Sequence, residues 1–235
     1  MRPTKFETGI FAGALAAMLL VFFPMRLAVP SDALGTFGFA AREVRGSVWA
    51  GRFVDTRLGD EMVGDLRASL SPLSLLKGEA RFAFRDDSDS RRIDLVSSFR
   101  GSGVENVDLT VPVRKMFAPL PVESIQLEGV TARFSDGACV EATGRAHASV
   151  GQTVFAGVTL PQALSGNLRC DGDALSVPLQ SQSGMERLTL KIRGDATYRL
   201  SVAIPETSPA LGAALLGVGF KQVGNGYIFS ENGHF

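Results

Sequence analysis

The sequence predicts a mainly β protein: an N-terminal single transmembrane helix followed by a curved antiparallel two-layer β-domain with one or two short helices. Three observations carry this reading. A charge-free apolar run extends from Thr8 to Met25. Period-two alternation of apolar and polar residues then recurs to the C-terminus. Nearly every gap between alternating segments holds Gly, Pro or Asp-Gly, the chemistry of tight turns. One-sided alternation leaves most strands a wet face, as in antiparallel sheets that pack by their apolar faces.

The apolar run is roughly eighteen residues, close to the ~20 that a helix needs to cross a hydrocarbon core. Phe6 before it and Leu27, Ala28 and Val29 after it extend its greasy length. Pro24 stands where it would end or kink the helix, and Arg26 can snorkel to the headgroups. The expected organisation is a short cytoplasmic tail over 1–7, an anchor over 8–29 and a β-rich periplasmic domain over 30–235. A cleaved signal peptide is the alternative. The long core, with Val29-Pro30 after it and no A-x-A pattern, favours an anchor that stays. Arg2 and Lys5 on one side face Arg26, Arg42 and Arg45 on the other, so charge does not decide orientation. Long C-terminal domains translocate largely regardless of charge, which leaves N-inside as the expected arrangement.

Beyond the run, about 205 residues suffice for one well-filled domain or two small ones. Leu66, Ala68 and Leu70 alternate with Arg67 and Ser69, and Ala80, Phe82 and Phe84 with Glu79, Arg81, Ala83 and Arg85. Between them Ser71-Pro72 opens a helical turn through Leu73, Leu75 and Leu76 that Gly78 ends, with Ser as cap and Pro at the first position. Further strands are expected around Val107–Val111, Ile125–Leu127, even positions of 140–150, Leu175–Leu179, Leu188–Ile192 and Tyr198–Ile204. A second helix is expected over Pro209–Leu216, capped by Ser208 and ended by Gly217. Asn225-Gly226 offers a hairpin turn before Tyr227, Ile228 and Phe229.

Composition narrows the function classes. With 24 basic and 24 acidic residues the chain has no electrostatic case for nucleic acid. The stretch Arg85 to Arg92, with Asp86, Asp87 and Asp89, reads as a solvated loop; it lacks the Gly turn and distal Glu of a calcium loop. His147 and His234 are the only histidines, and neither has a metal-ligand neighbour at helical spacing. No G-x-S-x-G elbow, P-loop or paired-carboxylate motif occurs, so no enzyme, metal or cofactor is expected.

The two cysteines, Cys139 and Cys170, each border a strand-like segment beside an Asp-Gly turn. A bridge between them would close a loop of about thirty residues, worth roughly 3–4 kcal/mol in the chain-entropy model. In an oxidising compartment such a pair is expected to bond. Two unrelated thiols are the alternative.

Gly46-Ser47-Val48-Trp49-Ala50-Gly51 brackets the single Trp with backbone freedom, so its ring can plug one end of a sheet layer or anchor a partner. This segment, with Leu70-Ser71-Pro72-Leu73-Ser74-Leu75-Leu76-Lys77-Gly78 after it, resembles the G-x-V-W-x-G and L-x-P-x-x-L-L-x-G signatures of the type II secretion system protein N family. Leu120-Pro121 before Leu127-Glu128-Gly129, Ala142-Thr143-Gly144-Arg145, Leu164 to Gly172, and Pro209-x-Leu211 before Gly226-Tyr227 continue the likeness over essentially the whole chain. The resemblance implies a non-enzymatic, bitopic inner-membrane protein whose periplasmic β-domain assists export of folded proteins across the outer membrane. Its expected partners are other inner-membrane platform subunits. Its expected interaction or structural positions are Gly46, Val48, Trp49, Gly51, Pro72, Leu75, Leu76 and Gly78. An envelope lipid-binding or lipid-transport protein with an apolar β-trough is the competing expectation.

Overall fold

The computed structural model describes residues 14, 18–19, 21–28, 39–58, 61–88, 90–113, 122–151, 154–155, 158–159, 162–205 and 209–234. The chain divides into two compact units, Met1–Asp89 and Ser90–Phe235. Both are antiparallel β-structure with short helices, as the alternation predicts. Most of the expected anchor and the Leu120-Pro121 motif lie outside the described residues. Ala14, Met18, Leu19 and Val21 are helical. Among the described residues no helix is long and apolar enough to cross a membrane.

The first unit opens on a short helix α1 (Met25–Ala28) and a four-stranded meander: β1 (Phe39–Ser47), β2 (Ala50–Leu58), β3 (Glu61–Leu70) and β4 (Glu79–Asp86). Helix α2 (Pro72–Leu75) joins β3 to β4. Phe53, Leu66, Ala68 and Phe84 alternate onto one face and are buried there. Phe53 pairs Leu66 and Ala68 pairs Phe84 across the ladder, and the Phe53 and Phe84 rings meet at 5.6 Å. The α2 turn forms where Ser-Pro predicts it, but Ser71 makes no side-chain cap. Its backbone N–H is used instead to continue the sheet, donating to Arg81 O at 2.9 Å. Arg85 and Asp86 belong to β4, with Asp86 buried, so the charged stretch is loop only in its middle. Asp87 there accepts from Arg52 at 2.7 Å and pairs with Arg67 at 3.3 Å.

The second unit runs β5 (Arg92–Ser98), β6 (Gly101–Pro112), β7 (Val122–Ser135), β8 (Ala138–Val150), β9 (Val154–Phe155), β10 (Val158–Thr159), β11 (Ala163–Asn167), β12 (Arg169–Asp171), β13 (Ala174–Gln180), β14 (Arg187–Ile192) and β15 (Thr197–Pro205). Helix α3 (Pro209–Gly217), β16 (Lys221–Val223) and β17 (Gly226–His234) complete it. The two expected layers do not take the form of separate sheets. One ladder joins β5-β6-β7-β8-β11-β13-β14-β15-β17-β16, with β12 beside β13 and a detached β9–β10 pair. Leu179, Leu188 and Leu200 from this ladder share one apolar cluster with Leu211 and Leu215 of α3. The last hairpin turns one residue earlier than expected, at Gly224-Asn225, because Val223 pairs Gly226 and Gly224 adopts φ +59.

Strand β8 departs from simple even-position alternation. Ala146, Ala148 and Val150 are buried as expected, yet Val140 is 61 % exposed and Cys139 is buried. Arg133 pairs Glu141 while Phe134 pairs Cys139, so Val140 is the extra residue of a β-bulge. One inserted residue exchanges the faces of everything beyond it. That exchange turns Cys139 inward, and it is bonded to Cys170 of β12 with Cα atoms 5.5 Å apart.

Candidate functional site at the end of the apolar leader

The two motifs singled out in the sequence meet in the first unit. Ser47 pairs Ala50, so Val48 and Trp49 form a two-residue hairpin loop between β1 and β2. Gly46 has φ +84, and a side chain there would bring its Cβ within 2.3 Å of Ala50 O. This is the backbone freedom that the hairpin needs. Gly51 serves a different purpose: no unusual φ is involved, but its missing side chain leaves room for Met25. A Cβ on Gly51 would lie 2.8 Å from Met25 Cγ. Ala68 pairs Gly51 on the next strand, so two small residues make a floor on which Met25 is fully buried.

The leader ends by joining this floor. Val21 is helical, the helix breaks at Phe22–Phe23, and Pro24 forms an isolated antiparallel bridge with Ser47. The break is where a proline was expected to impose it. Val48, itself buried, is the hub: its N–H donates to Phe23 O at 2.9 Å, and its carbonyl accepts the Leu70 N–H at 2.7 Å. One residue of the first motif, through the two peptide groups that flank it, therefore ties the leader's end to the first residue of the second motif. Each such internal bond is worth about 1 kcal/mol net, and more is lost if a buried partner is stranded.

Half-buried Trp49 lines an open apolar cleft of about 470 Å³ with Val21, Leu70 and Pro72. Its ring is part packed and part accessible. Pro72 starts α2, Leu75 and Leu76 point outward with Leu73, and Gly78 at φ +77 ends the turn, donating to Leu75 O at 3.0 Å. The predicted positions of both motifs thus belong to one corner. Cys139 and Cys170 do not; they lie in the other unit.

The opposite face of the same strands carries a feature that the sequence reading missed. Arg45 pairs Arg52, Arg52 pairs Arg67, and Arg67 pairs Arg85, so four guanidinium groups cross the sheet in one row. Like charges directly opposite repel. Carboxylates interleave to offset this: Glu43 with Arg45 at 2.6 Å, Asp65 with Arg52 at 3.6 Å, and Asp87 between Arg52 and Arg67. The Arg45 hydrogen bond holds the exposed Glu43 carboxyl below its usual range. Arg67 and Arg85 are visible in the alternation; only the register lines them up with Arg45 and Arg52.

His147 stands on β8 with Nε2 3.6 Å from Glu128 Oε2, an ordinary cross-strand neighbour. Among the described residues no His, Cys, Asp or Glu group has the arrangement of a metal site.

These features define an antiparallel β-protein built of consecutive hairpins, with an apolar N-terminal segment tied into the first of them. The family model for the type II secretion system (T2SS), protein N, matches residues 38–229. The chain belongs to that family, whose members are secretion-system components. Every quoted motif falls inside the matched span. Neither a curated protein nor a solved structure matches the chain.

Proposed function

We propose that this chain is a non-enzymatic, single-pass inner-membrane subunit of the type II secretion apparatus, with both β-units on the periplasmic side. Its work is assembly: contacts from the β-units to other platform subunits assist export of folded proteins. The observation that carries this reading is the tie between the leader's end and the family-matched β-structure, through Phe23, Pro24 and Met25 on the β1–β2 hairpin. An apolar run whose end is hydrogen-bonded into a folded domain suits an anchor better than a leader destined for removal. The Cys139–Cys170 bond suits an oxidising compartment. Confinement to the membrane plane raises the effective concentration of the β-units near other bound subunits.

Strand β1 ends the described meander on one side. An edge of this kind offers main-chain groups for pairing with a partner strand. Photo-crosslinkers at Ala40 and Arg42, both exposed, are expected to capture platform subunits in cells. Deletion of the gene is expected to change the exported protein set while envelope integrity is kept. Crosslinks absent from every edge position, with export unchanged on deletion, would refute the assignment. The apolar cleft at Trp49 favours lipid handling as a second reading. Phospholipid retained stoichiometrically by the purified chain through detergent exchange, with a leaky envelope on deletion, would support that reading instead.

A further inference from the structure

The α2 turn exposes apolar side chains that the first unit does not use for packing. Leu73 is 72 %, Leu75 41 % and Leu76 85 % exposed, followed directly by Lys77. Grouped exposed apolar residues of this kind mark an interaction surface. What covers them follows from where α2 begins. Pro72 shares one cleft with Val21, a helical residue of the leader's apolar run. If that run crosses the bilayer, Val21 lies in its last helical turn, near the hydrocarbon boundary, and Pro72 stands within a cleft's width of the same depth. Trp49, the third wall of the cleft, is a residue suited to the membrane–water boundary.

Charge agrees with this height. The row Arg45, Arg52, Arg67 and Arg85 lies one residue along each strand from Gly46, Gly51, Ala68 and Phe84, the level at which Met25 docks. The Arg45 and Arg67 side chains are more than half exposed. With Glu43, Asp65 and Asp87 interleaved, four guanidinium groups against three carboxylates leave a net positive charge of one at that level, the sign that phosphates favour.

We infer that the α2 turn and Trp49 form a second membrane contact beside the anchor. Leu73 and Leu76 insert at the headgroup–acyl boundary of the leaflet from which the leader emerges, and the arginine row faces the phosphates of that leaflet. This rests on the anchored reading above. Two points of attachment hold the first unit at a set tilt, so that the β1 edge is presented in one direction to its partners.

The full chain, reconstituted in vesicles of phosphatidylethanolamine and phosphatidylglycerol, tests both readings separately. Both native cysteines are bonded to each other, so a single added cysteine labels cleanly. Nitroxides are placed by L76C and, as reference, by M62C, exposed at the far end of β3, roughly 25 Å away along the strand. Collision with lipid-soluble oxygen relative to a water-soluble nickel chelate is expected to be several-fold higher at 76 than at 62. Bromination of shallow acyl positions is expected to quench Trp49, and the L73S/L76S variant to lose most of that quenching while still floating with vesicles. Material that withstands alkaline carbonate but has position 76 as water-accessible as 62 would overturn the second contact and leave the anchor standing. Material stripped from vesicles by carbonate would overturn the anchor and this inference with it.

Discussion

Gly51 and Met25 offer the sharpest test of how the leader joins the β-structure. An alanine at 51 brings a Cβ to 2.8 Å from Met25 Cγ and 3.2 Å from its Cβ and Cε. In open space, Gly→Ala on an extended strand would stabilise by about 0.4–1 kcal/mol, because the unfolded chain loses freedom. Here overpacking of about 1–3 kcal/mol opposes that gain, leaving a net loss of about 1–2 kcal/mol. Met25→Ala alone empties a fully buried site and costs about 2–5 kcal/mol. In the double variant the new Cβ enters space that the thioether has vacated. G51A should then be neutral or favourable by up to about 1 kcal/mol in the M25A background, which against its cost in the parent is a coupling energy of about 1–3 kcal/mol. Trp49, the only tryptophan, lies in the same corner, so denaturant unfolding of the detergent-solubilised chain can be followed by its fluorescence. Costs that add within about 0.5 kcal/mol would show the two residues to be independent and refute the docking.

The C139S/C170S variant should lose about 3–4 kcal/mol of unfolding free energy in the second unit, as expected for a loop of this length, and should no longer respond to reductant. A parent protein insensitive to reductant would contradict this. Gly166→Ala should destabilise by about 3 kcal/mol or more, because its Cβ would fall within 1.6 Å of Pro178 O across the β11–β13 contact; thermal unfolding measures it. Burial pushes the Glu186 carboxyl up, but the Ser181 hydroxyl at 2.5 Å, its own backbone N–H and Ser183 outweigh that and hold it below its ordinary 4.5. A folded value below the unfolded one means stability that is complete above about pH 4.5 and lost as pH falls through the folded value. Carbon-detected titration should therefore show Glu186 rising in pKa in Ser181→Ala, where burial stays and a donor goes; an unchanged value would refute the assignment.

Much of the architecture was legible because it depends on neighbours along the chain. The strand pattern of 79–86 follows from alternation of Phe and Arg, the α2 turn from Ser-Pro and Gly78, and α3 from Pro209 and Gly217. What stayed hidden depends on register. The inward turn of Cys139 requires the bulge at Val140, and a bulge is defined by two residues facing one on the partner strand, which one segment's alternation does not show. Gly51 looked like a source of backbone freedom beside Trp49, whereas Ala68 on the facing strand and Met25 above show it to be a source of space.

The linear order of residues by itself determined the antiparallel β class, the short helices, the family and the two motifs that matter, since periodicity and turn chemistry act over a few residues. Only the tertiary structure decided that those motifs close around the leader's end, that Val48 joins them through its own N–H and carbonyl, and that four arginines form a row. Those are cross-strand relations, and cross-strand distance is a property of pairing register that no single segment encodes.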